Sequence, residues 1–563
     1  MFVFLSIIIC LILLSSHGAF LFAKPSNAAD IERKIKSLTT EQKFGQVIMP
    51  AILAHRLSDH DRKELIAQIK AVQVGGYHFL IDAKSYADPH ELMSLVNELQ
   101  LASDIPLLMA ADFEGGTGFY FKEGTRFPRA MALAASADPE LVRRVAFFSA
   151  QEARRLGITV NFYPDLDINS NPENPIINIR SFGSDPNRVA LFGQAYLQGY
   201  QQAGGLAVAK HFPGHGDTNQ DSHLQLPVVS ADLNQLRNQE LKPFETAIRR
   251  GVSGIMSAHI ALPQIDSSGI PATLSKKVLD GLLRDDLGFQ GLIFTDALMM
   301  GGIKSRYSTG EACVLAFQAG ADLLLYPENL SECKQALLKA YREGRITEAR
   351  LNRSLRRILG AKDRLGLQEK GNGIIQTMRV GDQISTPETI NLSAEIMRKA
   401  ITCLPDSDIL TALNLESKQK TYLVTITDQT KYWREGQPGT NLAEGLQQKY
   451  PDLKELTLDE ALKLDSPAQL LVSLHITVGA FKGSIALSED KLQSLQKLLS
   501  AGKVRALLVF GNPYIVRKLK DLPPTLLAYE YHPAAEKAAA EVLSNQAICE
   551  GQLPIDLGEL SYK

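Results

Sequence analysis

Eight short apolar runs recur through the first two thirds of the chain, and longer amphipathic stretches separate them. The runs lie at residues 44–49, 76–81, 105–111, 159–163, 206–209, 254–257, 291–295 and 321–326. Between them, segments such as 89–102, 139–156, 187–203 and 230–250 space their apolar residues at the helical period. Strand and helix alternating in this way leave few folds open. They predict an α/β protein with a parallel sheet curled into a (β/α)8, TIM-type barrel. A strongly helical stretch, 346–365, completes the unit. Several apolar runs end abruptly in polar or ionisable residues: Asp112, Asp165, Lys210 with His211, His259 and Asp296. In such a barrel the carboxyl ends of the strands carry the chemistry.

At 563 residues the chain has room for a second domain. Residues 368–387 read as a linker with little periodicity. Beyond it, 391–404, 488–499 and 534–543 read as helices, and 421–425, 468–474 and 506–510 as strands. The expected division is an N-terminal leader at 1–28, a catalytic barrel at 29–367, the linker, and a smaller α/β sandwich domain at 388–563. Residues 2–14 are almost wholly apolar and no Lys or Arg precedes Lys24, so the leader reads as an export signal, with an uncleaved membrane anchor as its rival. Either reading predicts an exported protein: periplasmic, extracellular or membrane-associated. A net charge of −2 gives no reason to expect a nucleic acid partner. Cys313, Cys333, Cys403 and Cys549 lack metal-site spacing and read as isolated buried thiols, although Cys313 and Cys333 lie in successive helical segments.

The densest chemistry lies in the run from Lys210 to His223, KHFPGHGDTNQDSH. Pro213, Gly214 and Gly216 exclude a regular helix there, so the ionisable groups occupy a strand end and the loop beyond it. Asp221 and His223, two apart, can form a hydrogen-bonded dyad. Histidine titrates near neutrality and can pass a proton to a leaving oxygen and recover one from water. Asp296, with apolar neighbours behind it, suits a nucleophile as well as a helix N-cap. Asp112 can accept two vicinal hydroxyls. Arg180 suits either an acceptor oxygen or a structural ion pair, and Lys210 and His211 can donate to hydroxyls. His215, between two glycines, reads as a loop brace. No H-E-x-x-H spacing is present, and no metal or other cofactor is expected.

Taken in order, D-F-E-G-G at 112–116, N-P-x-N-P-x-x-x-x-R-S-F-G at 171–183, the 210–223 run, M-S-A-H-I at 256–260, P-A-T-L-S at 271–275 and F-T-D-A-L-M-M at 294–300 resemble glycoside hydrolase family 3. Within that family they are similar to the β-N-acetylglucosaminidase, or β-hexosaminidase, branch. F-G-N-P-Y at 510–514 and G-Q-L-P at 551–554 resemble the family's C-terminal domain. The resemblance implies that Asp296 is the nucleophile and that His223, polarised by Asp221, is the acid/base. It further implies that Asp112, Arg180, Lys210 and His211 bind the sugar. The activity it implies is a retaining, metal-free exo-hydrolase. Its substrate would be terminal β-linked N-acetylglucosamine on a glycan or muropeptide of peptidoglycan origin. Two departures stand out: Thr117 and Tyr120 replace arginines common after E-G-G, and Ala297 replaces the usual Asp after the nucleophile. A histidine acid/base makes the site less anionic, so a phosphorylase is the alternative. A catalytically weak wall-binding protein is the other.

Overall fold

The computed structural model describes residues 28–53, 57–81, 86–368, 370–376, 383–405, 420–428, 437–464, 469–478, 487–560 and 562. The N-terminal apolar leader lies outside these residues apart from Ala28. Among the described residues no helix is long and apolar enough to cross a membrane.

The first unit is built on a curled, parallel sheet. Its strands are β1 (Ile48–Met49), β2 (Ala51–Leu53), β3 (Gly76–Leu80), β4 (Leu108–Ala111), β5 (Val160–Asn161), β6 (Leu206–Phe212), β7 (Gly254–Ser257), β8 (Leu292–Phe294) and β9 (Leu324–Leu325). Strands β2 to β8 form one seven-stranded parallel sheet in chain order, and β1 pairs with β9. Backbone bonds link this pair to its neighbours. Thr295 N donates to Leu323 O at 3.0 Å, and Leu324 N to Val47 O at 2.8 Å. Gly75 N donates to Ile48 O and His78 N to Pro50 O, both at 2.9 Å. These strands are buried along nearly their whole length, as parallel strands covered by helices must be, and their continuous apolar sequence follows from that.

Three local expectations are corrected. Residues 44–49 are not one strand: a helix, Thr40–Gly45, capped by Thr39 with Gln42 reaching back, precedes β1. The stretch 230–250 breaks into Leu233–Asn238 and Leu241–Arg249, because Gln239 leaves the helical region at φ −130°, ψ −84°. The third lies in the second unit: its first helix runs Pro387–Ala400 rather than 391–404, and the last three of those residues form a strand, β10 (Thr402–Leu404).

The second unit adds β11 (Thr421–Thr427), β12 (Lys454–Leu456), β13 (Gln469–Ile476), β14 (Val504–Gly511) and β15 (Thr525–Leu527). The six strands run in the order β10-β15-β14-β13-β11-β12, parallel except for β10. Apolar clusters lie on both faces of this sheet, and one of them takes in Met131, Ala132, Ala135 and Ile179 of the first unit. The two units therefore share a core. The cysteines are not isolated thiols. Cys313 pairs with Cys333 and Cys403 with Cys549, at Cα separations of 5.7 and 5.9 Å.

Candidate active site

Seven residues singled out from the sequence lie on the strand ends and loops at one rim of the curled sheet. Strand β6 runs to Phe212, so Lys210 and His211 are strand residues, and the Lys210–His211 and Phe212–Pro213 peptides are both cis. Lys210 is only 3% exposed. A buried ammonium needs anionic partners, and it has them. Its Nζ donates to Asp112 Oδ1 and to Glu114 Oε1, each at 2.8 Å, and lies 3.7 Å from Asp165 Oδ1. Arg180 grips Glu114 with two bonds, Nε to Oε2 at 2.9 Å and Nη2 to Oε1 at 2.8 Å. Its Nε is also 3.1 Å from Asp165 Oδ2, though neither Asp165 oxygen has hydrogen-bond geometry. His78 Nε2 completes the group, 2.6 Å from Asp112 Oδ2.

The electrostatics follow from this pairing. Burial alone would push Asp112 and Glu114 up. Lys210 and His78 outweigh it for Asp112, as Arg180 and Lys210 do for Glu114, and both carboxyls end well below the usual range. Burial dominates at Asp165, whose carboxyl is pushed up to about 7 despite Arg180 and Lys210.

A second cluster surrounds Asp296. Its Oδ1 accepts the Ala297 N–H at 2.7 Å. Burial raises this carboxyl, but the imidazoles of His259, His211 and His223 act together against it and hold it below its ordinary value. His211 Nδ1 lies 2.7 Å from Asp167 Oδ2. Asp167 also takes the backbone N–H of His215 at 2.6 Å. His259 donates from Nε2 to Ala297 O at 3.0 Å, with its Nδ1 2.9 Å from Thr273 Oγ1.

The expected dyad is present. Asp221 Oδ1 accepts from His223 Nδ1 at 2.7 Å and from His223 N at 2.9 Å. The loop that carries it packs on the segment after Asp296: Gly301 N donates to His223 O and Gly302 N to Ser222 O, at 3.1 and 3.2 Å. His215 braces this loop from within, bonding Thr218 at 2.8 Å and Ser222 at 2.9 Å. A Cβ on Gly216 would lie 1.6 Å from Ile168 O, so only glycine lets the loop cross there.

Sequence reasoning left out Glu114, Asp167 and His78, which pair with Lys210, His211 and Asp112. It also left out Arg126 and Arg129, which lie 4.4 and 5.1 Å over the Phe119 ring. Arg129 N donates to Glu530 Oε2 of the second unit at 3.2 Å. The positions of the expected arginines are otherwise filled: Thr117 bonds Glu152. Among the described residues Asp165, Asp167 and His211 bring ligating atoms within 4.8 Å of one another. Arg180 and Lys210 already face Asp165, and three donors face Asp167, so protein groups neutralise this cluster.

The rim thus gathers a carboxylate held down by three imidazoles beside a buried array of alternating carboxylates and cations, groups able to bind polar ligands and to move protons. Comparison with known proteins gives the family. Residues 39–361 match the glycosyl hydrolase family 3 N-terminal domain, and 416–548 the bacterial glycosyl hydrolase family 3 C-terminal domain. The chain is 30% identical to beta-hexosaminidase A of Pseudoalteromonas piscicida, over 87% of this chain and 90% of that one. It is also similar to the structure of a family 3 beta-N-acetylglucosaminidase from Paenibacillus sp. str. FPU-7, with a TM-score of 0.81, 34% identity, and coverage of 92% and 99%. A beta-glucoside phosphorylase structure superposes with a TM-score of 0.84 at 25% identity, covering 94% and 96%. The chain belongs to glycoside hydrolase family 3 and is a glycoside hydrolase.

Proposed function

We propose that this hydrolase is a retaining exo-β-N-acetylglucosaminidase that removes terminal β-linked N-acetylglucosamine from peptidoglycan-derived fragments. The observation that carries the reading is the Asp221–His223 dyad, bonded at 2.7 Å and within electrostatic reach of Asp296. Nδ1 of His223 is committed to Asp221, so Nε2 is the nitrogen that faces a leaving oxygen. In the proposed sequence Asp296 attacks the anomeric carbon as His223 Nε2 protonates the departing oxygen. Water, deprotonated by the same nitrogen, then releases the sugar with retained configuration. Asp112, Arg180, Lys210 and His211 hold the sugar hydroxyls. Glu114 and Asp167 fix the orientation of the cations among them.

The backbone bonds from β8 to β9, β9 to β1 and β1 to β3 support closure of the curled sheet into an eight-position (β/α)8 barrel, with the sandwich unit beyond the linker. Export to the periplasm, cell surface or medium fits the apolar leader, and the two cysteine pairs are compatible with an oxidising compartment.

The deciding experiment compares aryl β-N-acetylglucosaminide with aryl β-glucoside, in phosphate and in a non-phosphate buffer. Faster cleavage of the N-acetylglucosaminide to free sugar is expected in both. Preference for the glucoside would overturn the substrate assignment. The structural likeness to a phosphorylase supports the second reading, which sugar 1-phosphate formed at the expense of free sugar would establish.

A further inference from the structure

Arg180 lies on a segment, 169–184, that has little regular structure: one 3-10 turn, Asn178–Arg180, within a run of loop. Asn178 adopts φ 44°, in the left-handed region that few residues other than glycine and asparagine enter. Such a segment needs outside contacts to hold a guanidinium in register; the first unit supplies some, through Asn174 on the 215–218 loop and Ser181 on Asp167 O, and the second unit supplies the rest.

Two patches of that unit grip the segment, one on each side of Arg180. On the first side, Asn178 Nδ2 donates to Asn512 Oδ1 at 3.0 Å, and Asn178 N to Asn169 Oδ1 at 2.7 Å. Asn169 Nδ2 donates to the Tyr514 hydroxyl at 2.9 Å, which in turn donates to Asn169 O at 3.3 Å. Asn512 Oδ1 also accepts Tyr514 N at 3.0 Å, closing a ring of bonds through four residues that are each at least 96% buried. On the other side, Ser184 N donates to Pro554 O at 3.1 Å, and Asp556 N to Ser184 Oγ at 3.0 Å. A Cβ on Gly183 would lie 2.1 Å from Pro554 O, so the two backbones meet in direct contact. Between these anchors Arg180 projects onto Glu114, which also holds Lys210.

We propose that the six-stranded unit is a positioning module for saccharide binding, in which Asn512 and Tyr514 hold Arg180 against Glu114. This inference rests on the reading of Arg180 as a sugar-binding residue. Asn512 and Tyr514 touch no substrate; they act through the conformation of Asn178.

Hydrogen–deuterium exchange of full-length Asn512→Leu, Asn512→Asp and Tyr514→Phe, followed in peptides covering 169–184, tests the brace without reference to activity. Asn512→Leu removes the shared acceptor and should speed exchange in this segment about tenfold, as expected for one or two lost neutral hydrogen bonds. Asn512→Asp keeps the acceptor oxygen and should restore protection. Tyr514→Phe, which removes only a hydroxyl, covers the case in which Asn512→Leu fails to fold. It should give a smaller change in the same direction. Unchanged exchange in both Asn512→Leu and Tyr514→Phe would overturn the brace, whatever the enzyme hydrolyses. For turnover of an aryl N-acetylglucosaminide, Asn512→Leu should raise KM about five- to tenfold and leave kcat within about threefold. Combined with Arg180→Lys, its effect on KM should largely vanish, because both changes remove the same interaction. Fully additive effects, or an unaltered KM, would overturn the link to saccharide binding.

Discussion

Replacing Asp221 by asparagine isolates the contribution of its charge to the His223 dyad. Asp221 is 4% exposed, and its Oδ1 accepts both the ring Nδ1–H and the backbone N–H of His223. Asparagine can present an oxygen at the same place, so the ring keeps its orientation and loses only the negative charge beside it. Two unit charges about 4 Å apart at an effective dielectric of about 20 interact by about 4 kcal/mol, which sets a ceiling. His223 keeps 23% of its side chain exposed, so solvent screens part of that. The range for a hydrogen bond to a charged group, about 1.5–3 kcal/mol, is the better measure. It corresponds to a loss of about 10- to 150-fold in the step where His223 gives up its proton. The assay is kcat/KM for aryl N-acetylglucosaminides whose leaving groups run from phenol to dinitrophenol. A phenolate departs poorly without a proton and should show the whole loss. A dinitrophenolate needs no proton and should lose less than about threefold. Equal losses along the series would refute proton donation by His223 and leave the dyad a purely structural role.

Three further outcomes are expected. Wild-type protein should gain the mass of one sugar when treated with a fluorinated glycoside that traps the covalent intermediate. Asp296→Asn should gain none and lose turnover by orders of magnitude; labelling of the variant would place the nucleophile elsewhere. Lys210→Met leaves Asp112 and Glu114 buried with one cation fewer and should cost about 3–5 kcal/mol in chemical denaturation. A cost below about 1 kcal/mol would mean that Arg180 and His78 suffice. Asp165 has a folded-state pKa raised, chiefly by burial, to about 7. Its contribution to stability is therefore complete below the unfolded value, near 4, and is lost as pH rises through 7. Asparagine at this position has no such dependence. The melting temperature of Asp165→Asn relative to wild type should climb between about pH 4 and pH 7 and level off above, and a flat difference would contradict the raised value.

The sequence made Asp221 with His223 and Asp112 with Lys210 visible, and left other members of the charged clusters obscure. Lys210, His211, Asp112 and Asp296 announce themselves because an apolar strand ends on an ionisable group, which a buried strand tolerates only where a site is built. Their other partners carry no such signal. Glu114 lies 96 positions from Lys210, and Asp167 lies 44 from His211. Only the curl of the sheet brings them within bonding distance. The pairing of Cys403 with Cys549 was hidden by distance too, since they are 146 positions apart. In the second unit, β10, β12 and β15 have three residues each, too few to show a period, and their pairing partners decide their conformation. The helix expected through residue 404 illustrates this. Its apolar spacing continues past Ala400, but pairing with Thr525–Leu527 pulls Thr402–Leu404 into the sheet.

The stretch past Cys549 has a practical bearing on how this enzyme can be cut down. The C-terminal family match stops at residue 548, and a chain trimmed there would retain every strand and helix of both sheets. It would lose the partner of Cys403, the amide of Gly551 on Ile401, that of Gln552 on Ala135, and the Pro554 carbonyl that receives Ser184. These few irregular residues work as a strap that runs from the far sheet back across the rim. Shortening them would loosen the seam between the halves while leaving a spectrum of native secondary structure. A truncated preparation could thus look intact by circular dichroism and still grip its sugar poorly.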